Sequence, residues 1–187
     1  MALFPFFINL ENVQGYVIGS GEHAQEKIEK LKPYHPKLKL ISEDDFRAVC
    51  LEEKPFYVII AGKDSEINHQ IANFCREKNI LVNVVDDPVY CDFLFPSLIT
   101  HGNLSIGICT GGASPTAGML IKKQVEEQLP DRIEEILDFL QEKRPVIYQM
   151  FENKKQRFFI YHRLTEICIL NNRPMTEDEF ERFIKSY

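Results

Sequence analysis

The chain has no long basic run, no Cys-x-x-Cys pair, no internal repeat, no low-complexity segment and no uninterrupted apolar stretch of membrane length. Each absence removes a class of protein. The 22 Lys and Arg are scattered among 28 Asp and Glu for a net charge of −6, and no RNA- or DNA-binding module accompanies them, so nucleic acid is not an expected partner. The five cysteines, Cys50, Cys75, Cys91, Cys109 and Cys168, are odd in number and lack zinc-knuckle spacing. Neither a disulfide framework nor a structural zinc site is expected, and a reducing cytoplasm fits that usage. His23, His35, His69, His101 and His162 show no paired ligand spacing, so no resident metal is expected. No Ser-His-Asp arrangement can be argued from the spacing, and Cys91 and Cys109 read as small buried hydrophobes rather than nucleophiles. The opening "MALFPFFINLENVQGYVIG" is apolar but has no basic start, and Pro5, Asn9 and Glu11 interrupt it. It reads as folded protein, without a targeting or membrane role.

What is present is a globular composition. With 187 residues and 44% hydrophobic content, the chain can bury a substantial core. "GYVIGSG" (15–21) is a β-branched run stopped by glycines, and "EHAQEKIEKL" then repeats Ala24, Ile28 and Leu31 at helical spacing. "KLKLIS" (37–42) reads as a second strand, "EDDFRAVCLEE" as a polar-faced helix, and "FYVIIAG" (56–62) as a strand covered on both faces. A helix over roughly 66–78 leads into the strand "ILVNVVD". After the further strand "LSIGICT" (104–110), Ser114 can cap a helix whose first position is Pro115. Beyond Pro130 three amphipathic helical patterns follow with no strand between them, and a boundary is expected near 111–112.

Strands alternating with helices imply βαβ units, hence an α/β fold with a doubly wound parallel sheet and a helical second half. Ligands bind such sheets beyond the strand C-termini, where Gly19, Ser42, Gly62 and Asp86 would gather. Gly19, Gly21 and Ala24 form G-x-G-x-x-A between strand and helix. Gly19 permits the tight turn, Gly21 lets backbone approach a pyrophosphate, and Ala24 allows close helix packing. Ser20, Glu22 and His23 complete the bend at the helix N-terminus, which favours phosphate. Glu43 and Asp44 end the second strand, where an acidic residue accepts from ribose hydroxyls and favours NAD over NADP; Lys37 and Lys39 weaken that preference. Of the adjacent carboxylates, Asp87 before Pro88 suits an ordinary turn, while the strand context leaves Asp86 open between turn and function.

"LVNVVDDPVYCDFLFPSLI" followed by "LSIGICTGGASP" resembles the signature of precorrin-2 dehydrogenases, NAD-dependent enzymes of the siroheme pathway, some of which are also sirohydrochlorin ferrochelatases. "PFFINLENVQGYVIGSG" resembles that family's opening and "VIIAGKDSEIN" its third βα turn, so the likeness covers about the first 125 residues. Two positions depart: Ser20 stands where the middle of three consecutive glycines is usual, and Ala61-Gly62-Lys63-Asp64 where Ala-Thr-Asp-Asp is usual. The resemblance implies a Rossmann-like NAD-binding domain over 1–111, a dimerisation segment over 112–145 and a small C-terminal helical domain over 146–187, in a homodimer.

It implies oxidation of precorrin-2 to sirohydrochlorin, with Asp86 as the catalytic carboxylate and, in bifunctional members, ferrous iron as a second substrate. The substrate's eight carboxylates need local positive features, and the turn of Thr110, Gly111, Gly112 and Ser114 opening a helix is an anion site by geometry. Lys122, Lys123, Arg157, His162 and Arg163 are further candidates, although charges on amphipathic helices usually face water. A non-catalytic NAD-sensing protein is the alternative, and Asp86 discriminates, since a sensor needs no carboxylate beside the nicotinamide. A dehydrogenase for another substrate would want a His or Lys acid/base in the second half, where no clear candidate stands.

Overall fold

The structure, a computed structural model, describes residues 3–46 and 53–187, in two compact units, Met1–Phe95 and Pro96–Tyr187. The first unit carries four strands, β1 (Gln14–Ile18), β2 (Lys37–Ile41), β3 (Tyr57–Ile60) and β4 (Leu81–Val84), in one sheet of order β2-β1-β3-β4. All three pairings are parallel, as the alternation of strand and helix predicts. In register, Ile18 pairs with Ile41 and Ile60, and Ile60 with Val84, so the four strands end level.

Helices α1 (Glu22–Leu31) and α2 (Ser65–Glu77) cover opposite faces. Period-two alternation sends Val17, Ile59 and Ala61 into one cluster with Ala24 and Leu31, and Tyr16, Ile18, Val58 and Ile60 into the other with Ile71, Ala72 and Cys75. That double cover explains why β1 and β3 show no polar alternation. Residues 3–13 run without helix or strand; Phe4, Phe6 and Phe7 are exposed, while Leu10 and Val13 pack on the α1-side cluster. The helix expected over "EDDFRAVCLEE" falls largely on 47–52, outside the described residues.

The second unit opens with a hairpin. Leu104–Ile108 (β6) pairs antiparallel with Ser97–His101 (β5) in a separate two-stranded sheet, so it does not extend the parallel one. The Gly111–Gly112 turn, expected as a boundary, therefore lies inside this unit, between β6 and α3 (Pro115–Glu127). Three helices follow, as the periodicity predicts: α4 (Ile133–Met150), α5 (Lys154–Leu170) and α6 (Glu177–Lys185). Ile136, Phe139, Leu140 and Ile147 of α4, Ile160, Leu164 and Cys168 of α5, and Phe180 and Ile184 of α6 share one core. Among the described residues no helix is long and apolar enough to cross a membrane.

Candidate cofactor and catalytic site

The strand order reverses between β1 and β3, which makes their C-terminal ends the switch point where sheets of this type bind ligands. Gly19 stands there with φ +106°, and a Cβ on it would lie 2.7 Å from the Ala61 carbonyl and 2.8 Å from the Gly62 nitrogen. Its lack of a side chain is what lets the two strand ends meet. Gly21 is different. It holds φ +102° and ψ −165°, a region only glycine enters readily, yet a Cβ there would meet nothing within 4 Å. As the N-cap of α1 it supplies no side-chain cap, so the first N–H groups of the helix face an open approach. Ser20, Glu22 and His23 are exposed around the bend, and Ala24 is buried against the sheet.

Glu43 and Asp44 follow β2 in a turn, Glu43 half-buried and Asp44 exposed. Glu43 reaches the end of β3: a Cβ on Gly62 would lie 2.6 Å from Glu43 Oε1 and collide with Asn68 Oδ1. The departure Ala61-Gly62-Lys63-Asp64 thereby gains a physical account. Glycine leaves room for these two oxygens, and Asp64 caps α2, accepting from the N–H groups of Glu66 (2.9 Å) and Ile67 (3.1 Å). Asn68 is 7% exposed; its Nδ2 donates to Gly62 O (2.9 Å), while its Oδ1 has no hydrogen-bond partner among the described residues. Asn68 closes the block that resembles the family's third βα turn, but nothing in that pattern assigns it a role.

Asp86 lies two residues beyond β4 on the same level rim, exposed and with φ +62°. The fastening around it is dense. Asp87 Oδ2 lies 2.7 Å from His69 Nε2, and the His69 ring stacks on Tyr90 with centroids 3.7 Å apart. The Cys91 thiol accepts from Val84 N–H (3.2 Å) and reaches the carbonyls of Val84 (3.2 Å) and Asp87 (3.3 Å). Asn83 is buried and its amide donates to Phe93 O (2.9 Å). Cys91 is half-buried and its thiol is pushed up by burial, whereas Cys109 is exposed, contrary to the expectation of a buried hydrophobe.

Lys27 was not singled out by sequence, although it lies three residues after Ala24 on the sheet-facing side of α1. It is half-buried, with its ammonium 4.8 Å from the centroid of the Phe95 ring. Burial lowers its pKa, and the neighbouring Lys30 adds to that; the carboxylates of Glu26 and Asp86 act in the opposite sense. The Lys27 ammonium thus lies within electrostatic reach of the candidate catalytic carboxylate.

In the second unit, Gly111 and Gly112 take φ +64° and +85°, and Ser114 caps α3 by accepting from Ala117 N–H (3.1 Å) ahead of Pro115. Thr110 Oγ1 donates to Ser114 O (3.1 Å) and accepts from Ser114 N–H (3.3 Å), closing the turn. Arg157 donates to the carbonyls of Phe151 (3.0 Å) and Glu152 (2.7 Å), and Arg163 pairs with Glu166 (2.9 Å), so both serve local structure. Lys123 lies 3.9 Å from Glu127 and His162 3.9 Å from Glu166, while Lys122 is half-buried. Among the described residues no group of three or more His, Cys, Asp or Glu could hold a metal ion.

Residues 6–97 match the family described as "Putative NAD(P)-binding". The chain is similar to siroheme synthase of Buchnera aphidicola subsp. Acyrthosiphon pisum, 29% identical over 91% of this chain and 41% of the relative. It is also similar to that of Nitrosomonas europaea (25%, over 89% and 39%) and of a Psychrobacter species (32%, over 70% and 30%). The chain spans about two fifths or less of the length of these curated relatives. Among solved structures, "SirC, precorrin-2 dehydrogenase" shares the fold, with a TM-score of 0.70, 17% identity and 98% coverage of both chains. These findings support the siroheme synthase and precorrin-2 dehydrogenase family that the Asn-Val-Val-Asp and Thr-Gly-Gly-Ala-Ser-Pro blocks resemble.

Proposed function

We propose that the chain oxidises precorrin-2 to sirohydrochlorin with NAD as cofactor. The observation that carries this reading is the level rim of the parallel sheet, where an unobstructed glycine bend and an exposed carboxylate, Asp86, stand at strand ends of the same unit. The residues fit a dinucleotide. Gly21 leaves the N–H groups of α1 open to a pyrophosphate, and Glu43 with the orphaned Asn68 oxygen offers acceptors for ribose hydroxyls. NAD, when bound, would supply the acceptor for the hydride leaving the macrocycle.

The protein's share is to orient the ring and receive the proton released with the hydride. Asp86 is the proposed acceptor, by proton transfer to its carboxylate oxygen, with Lys27 supplying positive charge nearby. The turn of Thr110, Gly111, Gly112 and Ser114 is the proposed seat for substrate carboxylates, through backbone N–H groups at the start of α3. Residues 112–145 are proposed to make a homodimer, supported by the exposure of Met119 (60%), Leu120 (60%) and Ile121 (42%) on α3, with 146–187 as the small helical domain. Ferrous iron as a second substrate would use the same carboxylate to take pyrrole protons.

The test is incubation with precorrin-2 and NAD, following sirohydrochlorin and NADH absorbance together, with Asp86→Ala in parallel. Equal yields of both products, falling by two orders of magnitude or more in the variant, are expected for a proton-accepting role. No conversion by the unmodified chain refutes the activity; full conversion by the variant removes Asp86 from the chemistry. Sirohydrochlorin with ferrous ion tests metal insertion separately, and light scattering of a Leu120→Glu variant tests the dimer.

A further inference from the structure

Gly62, Glu43 and Asn68 meet in a constellation that the sequence patterns do not bring together. Glu43 comes from the turn after β2, Gly62 from the end of β3 and Asn68 from α2. The carboxylate and the amide oxygen border the same point beside Gly62, the place a Cβ would occupy. The Asn68 amide is oriented by its Nδ2 bond to Gly62 O (2.9 Å), which leaves Oδ1 as a buried acceptor without a partner among the described residues. Two acceptors converging with no donor among the described residues call for a group that carries hydroxyl protons.

We infer that Asn68 is a cofactor-selectivity residue, its Oδ1 accepting from a hydroxyl of the adenosine ribose alongside Glu43. The inference rests on the dinucleotide reading above. A ribose diol offers two O–H donors, one for each oxygen. A 2′-phosphate offers mostly negative oxygens, and would face a carboxylate and a carbonyl dipole of the same sense. Selectivity for NAD over NADP then has two sources, a charge at Glu43 and a fixed dipole at Asn68. Gly62 is the condition for both, because any larger residue would fill the space they share.

The experiment is isothermal titration of the full chain with four probes: ADP, 2′-deoxy-ADP, 3′-deoxy-ADP and adenosine 2′,5′-bisphosphate. In the unmodified protein, loss of one ribose hydroxyl is expected to weaken binding about tenfold, a typical effect of orphaning a buried acceptor. Asn68→Ala should bring that ratio close to one. Asn68→Asp keeps an acceptor while losing the amide donor, so it should preserve the ratio and exclude the bisphosphate more strongly. Circular dichroism and melting of each variant verify the fold. An Asn68→Ala protein that keeps the full ratio, with ADP still binding, overturns the inference and leaves the cofactor reading standing. Failure of the unmodified chain to bind ADP, and NAD titrated beside it, overturns that reading, and the inference with it.

Discussion

Alanine at Gly19 and alanine at Gly21 should have opposite signatures, although both glycines hold nearly the same positive φ. At either position an L side chain in that region costs about 1–3 kcal/mol of backbone strain. At Gly19 the new Cβ also falls 2.7–2.8 Å from backbone atoms of Ala61 and Gly62. Those atoms follow the Ala61 N–H to Ile18 O bond of 2.8 Å, so relief requires parting the ends of β1 and β3. Losing one ladder bond adds about 1 kcal/mol, and the overlap more, for a total of roughly 3–4 kcal/mol. Gly21→Ala meets nothing, so its cost stays near the strain alone, about 2 kcal/mol. Its methyl, however, stands in the approach to the α1 N-terminus and should weaken NAD binding by tenfold or more. Denaturant titration of both variants, beside calorimetric titration with NAD, separates the two. Equal destabilisation by both, or a Gly21→Ala protein binding NAD as tightly as the unmodified chain, would refute the division of roles.

Three further outcomes follow from single residues. Tyr57 is 3% exposed with a hydroxyl lacking a partner among the described residues, and burial pushes its pKa up to about 12. Tyr57→Phe should therefore stabilise the fold by about 1 kcal/mol in urea melts, and should remove a loss of stability that sets in as pH rises from about 10, the unfolded value, through the folded one. Glu179 closes the capping box of α6 with Thr176 and is held down to about 2 by the hydrogen-bonded Arg173 guanidinium and the Thr176 N–H. Its contribution is complete above an unfolded pKa of about 4.3 and disappears as pH falls toward 2, so Glu179→Gln should flatten the acid limb of a melting-temperature profile. His69→Ala, which frees Asp87, should lower kcat for precorrin-2 oxidation several-fold with little change in NAD affinity, whereas His69→Gln, able to place a donor where Nε2 lies, should recover part of it.

The glycine bend and α1 were legible because both signals are local: a turn residue at each end of a short strand, then helical spacing. The Ser114 cap and Pro115 were legible for the same reason. β5 was not, since Ser97–His101 is a short run after Pro96 whose identity as a strand depends on pairing with β6. That pairing also displaced the unit boundary to Phe95–Pro96. Lys27 carries the helical spacing of the buried face, yet a charge at such a position reads as solvated until the packing is known. Asn68 lies further from the reach of pattern. Its significance comes from Glu43, 25 positions earlier, meeting it over Gly62, and only tertiary structure brings them together.

The adjacent carboxylates Asp86 and Asp87 show how one local conformation assigns two fates. A residue at φ +62° breaks the period-two alternation that β4 would otherwise continue. Asp87 returns to α2, where it is held at 2.7 Å by His69, and its N–H reaches back to Val84 O at 3.3 Å. Asp86 is left on the outside of the corner, exposed. Aspartate tolerates the left-handed region better than most residues but not freely, so the corner persists because its flanks are fixed. Those flanks are the Asp87–His69 contact, the bonds of the Cys91 thiol to Val84 and Asp87, and the buried Asn83 amide. Asp87 thus does structural work that its position before Pro88 only hints at. A carboxylate that must meet a substrate proton in one geometry gains from such fixed flanks, because little ordering is left for the moment of reaction. The same bonds that look like loop architecture are, on this reading, the preorganisation of Asp86.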